Sequence, residues 1–124
     1  EVDNNIKLSF FRYNYAMIDP LIEFSYFPLA SIMDIACMKL AALRNRAVLK
    51  DYVDLYYILK TNALKDITKA CSKKYPLIDS NVFLRGLTYT DDVEIQKIDF
   101  KKGYQITMKE IDKLLQAQVK NYYK

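Results

Sequence analysis

The 124-residue chain has no His and no Trp, only two Gly, three Pro and two Cys. Without imidazole, a His-containing zinc site and a His-based catalytic triad are both excluded. The two thiols, Cys37 and Cys71, do not form a CxxC pair. Cys37 lies in an apolar run and reads as a small core residue. With no disulfide framework to recognise, a reducing cytoplasm is the expected compartment. Scarce Gly leaves little material for tight turns or a phosphate-cradling loop, and none precedes Gly86. No apolar run approaches the roughly 20 residues that a membrane-spanning helix needs, so no membrane is expected as a partner. No signal-peptide pattern opens the chain. It starts at Glu1 rather than Met, within a few residues of a strand-like segment, and a piece of a longer protein is expected.

What is present describes one globular unit. Apolar residues make up 52% and charged residues 27%, enough for a single core and too apolar for a disordered chain. Eleven Tyr and six Phe make it rich in aromatic residues. The formal charge of +4 comes from Lys spread along the chain, densest in the last quarter. That distribution suits a solvated surface with weak attraction for a polyanion. A nucleic-acid-binding domain built on the Lys-rich final helix is disfavoured, because no basic cluster marks one face.

Ile6 to Tyr13 (IKLSFFRY) and Leu21 to Phe27 (LIEFSYF) are rich in β-branched and aromatic residues and alternate in part. Both are expected as strands, forming an antiparallel pair. Two strands alone are marginal in water, so they must pack on helices or belong to a larger sheet. Their aromatic faces then predict self-association, a homo-oligomer of the chain. Ser31 opens a helix, with its hydroxyl three residues ahead of Asp34 in a variant capping box; it runs to about Arg46. A second helix, about Val48 to Thr61, follows after almost no loop and makes a helical hairpin. Asn62 is placed to cap a third helix carrying Leu64, Ile67 and Cys71, which Tyr75-Pro76 ends. A short helix follows at about Asn81 to Leu87. Val93 to Ile98 reads as a short strand or an extended arm. Thr107 opens the last helix with a full capping box to Glu110, and Met108, Ile111, Leu115, Val119 and Tyr122 form its apolar stripe. The expected fold class is therefore α+β, mostly helical: two N-terminal strands over residues 1–30, then a helical hairpin and bundle over residues 31–124.

Chemistry concentrates between Ile35 and Lys60. From Ile35 to Leu43 every residue is apolar except Lys39. A helix apolar on all sides is normally buried on all sides, so that ammonium needs an anionic partner or a wet cavity. Arg46, seven residues on, shares its face. In the next helix Asp54 is the only charge in Tyr52 to Leu59, with Asp51 one turn before it and Lys50 placed for an i,i+4 pair. Spacing admits two readings: Lys39 and Asp54 as a structural salt bridge pinning the hairpin, or as a polar pocket for an anionic ligand.

The stretch KLAALRNRAVLKDYVDLYYIL closely resembles the later motifs of the AbiEii/AbiGii nucleotidyltransferase-like toxins. Lys39, Leu40, Ala42, Leu43 and Arg46 match a Lys-Leu-x-Ala-Leu-x-x-Arg helix. Lys50, Asp51, Asp54 and Leu55 match the basic-Asp-x-x-Asp pattern that follows. Ala47 stands where the family often has Gly. LRGLTYTDDVE resembles the family's C-terminal leucine, aromatic and double-acid segment more loosely.

The resemblance implies a fragment of a nucleotidyltransferase-like fold, with residues 1–30 belonging to its sheet. It implies that Lys39 contacts nucleotide phosphates, that Asp54 orients it or assists proton transfer, and that Arg46, Lys50 and Asp51 support the pocket. Mg²⁺, an NTP and an RNA or protein acceptor are implied for the longer protein, with an antitoxin as partner. The family's earlier Gly-Gly or Gly-Ser turn and its paired carboxylates are missing, so no metal site and no cofactor are expected for this chain itself, and the fragment alone is expected to be inactive. The alternative from another class is a non-enzymatic helical interaction module whose charged hairpin is structural.

Overall fold

A computed structural model describes residues 8–124. Five helices run in order: α1 Ile32–Leu43, α2 Leu49–Thr61, α3 Leu64–Lys74, α4 Ser80–Thr88 and α5 Met108–Tyr122. α1 packs on α2, α3 and α4, and α5 covers those same three helices from elsewhere on the body. The core between them is built from Ala36, Cys37, Leu40 and Leu43 of α1, joined by Tyr52, Leu55, Ile67, Cys71, Phe83, Leu87, Ile111 and Leu115.

Caps set the helix starts. Ser31 Oγ accepts from the Asp34 amide at 3.0 Å and donates to the Asp34 carboxylate at 2.8 Å. Thr107 and Glu110 form the full reciprocal box that starts α5. The α2–α3 junction departs from expectation. Asn62 does not cap α3; it closes α2, its Nδ2 donating to the Ile58 carbonyl at 3.0 Å. α1 also ends at Leu43, three residues short of Arg46, in a turn that frees the Arg46 side chain.

The two expected strands are not there, and the α+β class is corrected to an all-helical one among the described residues. The beginning of the Ile6 to Tyr13 segment lies outside those residues. From Leu8 to Tyr13 the chain joins no ladder, and the Leu21 to Phe27 segment contributes one isolated antiparallel bridge, Ile22 to Leu29. β-branched and aromatic residues favour a pleated, half-buried surface, but a strand exists only when a partner takes its amides and carbonyls. No partner is in reach among the described residues. Most of their aromatic side chains stay in solvent, Phe10 at 93% and Tyr26 at 94% exposure. Val93 to Ile98 likewise forms no strand. Glu94 instead makes a single parallel bridge with Val48, laying this arm beside the α1–α2 turn.

α1 is not buried on all sides either. Ile32 is 51% exposed, Ala42 is exposed, and Ile35, Met38 and Lys39 are half-buried. One apolar stripe of the hairpin is thus only partly covered by the described residues, and Lys39 emerges from it. None of the described helices is long and apolar enough to cross a membrane.

Candidate functional site

The hairpin brings Lys39 to both carboxylates of α2. Its Nζ lies 2.8 Å from Asp51 Oδ1 and 2.9 Å from Asp54 Oδ2. Asp51 and Asp54 are one turn apart, so both reach the same ammonium from one helix face. The cluster is wet: side-chain exposure is 27% for Lys39, 18% for Asp51 and 51% for Asp54. Partial burial pulls the Lys39 pKa down, but the bonds to Asp51 and Asp54 outweigh it and hold the value above the ordinary lysine range. Lys39 is therefore a fixed cation with one open side, flanked by half-buried Ile35 and Met38.

The other two expected residues stand apart from this cluster. Arg46 makes a bidentate pair with Glu94, with Nε and Nη2 to carboxylate oxygens at 2.7–2.9 Å. Nothing in local spacing points to Glu94, which belongs to the segment read as a short strand or an extended arm. Lys50 is exposed and makes no ion pair among the described residues, so its expected i,i+4 link to Asp54 is not formed. Asp54 is already turned to Lys39.

The Mg²⁺ that the resemblance implies does not fit these residues. Asp51 and Asp54 each point an oxygen at the Lys39 ammonium, and the described residues hold no group of three His, Cys, Asp or Glu able to take a metal. Magnesium needs near-octahedral oxygen ligands, and an ammonium occupies their focus.

Sequence reasoning missed the one fully buried ion pair among the described residues. Asp34 and Lys74 are both at 0% side-chain exposure and 2.6 Å apart. Asp34 also accepts from the Ile18 amide at 2.9 Å, the Asp19 amide at 3.1 Å and Ser31 Oγ at 2.8 Å. Lys74 donates to the Ala16 carbonyl at 3.1 Å and lies 5.0 Å from the Tyr13 ring centroid. The pair thus ties the segment from Tyr13 to Asp19 onto α1 and α3. The signal was the register of α3: Ile67, Cys71 and Lys74 share a face, so Lys74 continues a buried stripe.

Burial pushes the Asp34 pKa up, but the Ile18 amide, Lys74, Ser31 and the Asp19 amide overcome it and hold the carboxyl well below the usual carboxylate range. Burial pushes Lys74 down, and the Asp34 bond outweighs that, so its pKa is raised. For Asp34 the stability is present above the unfolded pKa, about 3.9, and is lost as pH falls towards the depressed folded value. For Lys74 it is present below about 10.4 and is lost as pH rises through the raised folded value. We expect denaturation midpoints to be flat between these limits and to fall outside them. An Asp34→Asn/Lys74→Met double variant should show shallower limbs at both ends. Parallel pH profiles for variant and parent would contradict the assignment.

The fold and site together define a small helical body that presents a Lys–Asp–Asp cluster from a partly covered hairpin face. The profile of the family described as "Nucleotidyl transferase AbiEii toxin, Type IV TA system" matches residues 4–123. The chain belongs to this AbiEii family. It is also similar to aq_aa25 of Aquifex aeolicus (strain VF5), titled an uncharacterized protein, with 30% identity over 124 residues. That match covers 96% of this chain and 58% of the relative, so the chain spans little more than half the relative's length. No solved structure matches it.

Proposed function

We propose that the chain supplies one wall of a nucleotide-transfer site in a longer AbiEii-type toxin, with Lys39 as the phosphate-contacting cation. The observation that carries this reading is the partly open Lys39, held at 2.8 and 2.9 Å by two carboxylates, within the span that the family model matches. Asp51, the less exposed of the two, positions the ammonium. Asp54, half in solvent, holds it on the other side and is free to follow a proton when a ligand arrives. Arg46 acts at a distance from them, bracing the turn through Glu94. Lys50 adds only an exposed positive charge at the start of α2. The metal-binding carboxylates and the glycine turn belong to the other wall, in the portion of such proteins that this chain does not span. The partly covered stripe of Ile32, Ile35, Met38 and Ala42 supports that division, since a longer protein has reason to cover it.

The test separates the chain from the longer protein. With labelled NTPs and Mg²⁺, we expect the 124 residues alone to transfer no nucleotide to RNA or protein. The longer protein should transfer it, and Asp54→Asn should lower that rate at least tenfold. Transfer by the 124-residue chain above a Lys39→Met control would refute the two-wall arrangement.

A second reading, a partner-binding module, is favoured by the exposed aromatic arm: Phe10, Phe11, Phe24 and Tyr26 are all at least 60% exposed. A type IV toxin–antitoxin family supplies a candidate partner, its antitoxin. The two readings are compatible, because the arm and the Lys39 cluster involve different residues.

A further inference from the structure

A cavity of about 700 Å³ opens between the C-terminal ends of α1 and α4. Three arginines are among its lining residues, Arg44, Arg46 and Arg85, together with Asn45, Tyr89 and Asp92. Lys39, Asp51 and Asp54 are not part of its lining. Arg46 is engaged by Glu94. Arg44 and Arg85 are not engaged: among the described residues neither makes an ion pair, and neither side chain donates to a protein acceptor.

The ordinary reason for a cation at a helix C-terminus is the set of carbonyls left without partners there. Here part of that set is already served. The amides of Arg44, Asn45 and Arg46 take the Ala41 and Ala42 oxygens, and the Tyr89 amide takes the Arg85 oxygen. The buried Tyr52 hydroxyl donates to the Gly86 carbonyl at 2.7 Å and reaches the Tyr89 carbonyl at 3.3 Å. Arg44 and Arg85 thus add two permanently charged, planar donor groups to the lining residues, with no side-chain acceptor among the described residues. With Arg46 and Glu94 cancelling, Arg44 and Arg85 against Asp92 leave one positive charge in excess. Tyr89, 55% exposed, adds a flat aromatic face at the rim.

We propose that this cavity binds a nucleotide unit, its phosphate held by Arg44 and Arg85 and its base stacked on Tyr89. The unit belongs to a single strand of nucleic acid or to a free nucleotide, which share that chemistry. Guanidinium forks match phosphate oxygens, and base–aromatic stacking tolerates any base. Leu43, in the cavity wall, is one turn of α1 beyond Lys39, about 6 Å of helical rise. A strand held here passes close to the Lys39 cluster, yet its binding does not require Lys39 to have any role in transfer.

The measurement is fluorescence anisotropy of a labelled oligouridylate RNA with the protein, across a range of salt. We expect binding that weakens as salt rises. Arg44→Glu and Arg85→Glu should each weaken it about tenfold or more and flatten the salt slope by about one. Tyr89→Ala should weaken it about tenfold with little change in that slope, since the ring carries no charge. Lys65→Glu and Lys113→Glu, exposed and outside the cavity lining, should change it less than about twofold. Competition by free UMP would assign the mononucleotide as a ligand, and lack of competition with the Arg dependence intact would assign the strand; either supports the site. All five side chains are exposed, and unchanged thermal unfolding verifies that each variant folds. No binding by the parent protein, or equal losses in the Lys and Arg variants, would overturn the proposal.

Discussion

Lys74→Met is expected to lower stability by about 3 kcal/mol, and Asp34→Ala by up to about 5 kcal/mol. Each change strands an ion at a position with no solvent access. The asymmetry follows from the neighbours. When Lys74 is lost, Asp34 keeps the Ile18 and Asp19 amides and Ser31 Oγ. When Asp34 is lost, the ammonium keeps one carbonyl, from Ala16, and those two amides lose their acceptor. Against a total of about 5–15 kcal/mol for a domain, either loss is a large share. Asp34→Asn/Lys74→Met should recover most of it, because Asn retains an acceptor for the amides and no charge is left buried. Chemical denaturation of the two singles and the double decides the point. Single variants within about 1 kcal/mol of the parent would show that the pair is not a buried unit.

The same pair marks where the sequence is legible and where it is not. Helices can be read where a cap and an apolar stripe coincide, as at Thr107–Glu110 with Ile111 and Leu115. The Lys39–Asp51–Asp54 cluster is legible as isolated charges on two adjoining apolar helices, although Asp51 proves as close a partner as Asp54. Lys74 is concealed beside Lys73 as an ordinary cation in the last turn of a helix, and only the register of α3 tells them apart. Glu94 reaches Arg46 across 48 residues through a segment without periodicity, so no local pattern joins them. The N-terminal segments fail for a different reason. Their composition reports a preference for extended backbone, but from Leu8 to Tyr13 the chain joins no ladder. Strand pairing depends on a second chain segment that composition cannot supply.

Lys39→Met is expected to leave stability within about 1 kcal/mol of the parent, and to abolish nucleotide transfer and toxicity in the longer protein. The small stability effect follows from exposure. Lys39 keeps 27% of its side-chain surface and Asp54 51%, so water screens the attraction and re-solvates the carboxylates once the ammonium is gone. Met also retains the length and the apolar stem of the lysine it replaces. The large functional effect follows from charge. In the proposed site the phosphate contact is the cation, and the side chain that replaces it has no donor, leaving Asp51 and Asp54 to repel the ligand. Lys39→Arg separates charge from shape: it keeps the cation, but a planar fork cannot reproduce a point contact to two carboxylates and a phosphate. Partial activity is expected there, none in Lys39→Met. Growth inhibition, nucleotide transfer and denaturation midpoints, measured on the same variants, test the reading together. A loss of 3 kcal/mol or more in Lys39→Met, rescued when Asp51 and Asp54 are also neutralised, with toxicity intact, would make the cluster a structural salt bridge.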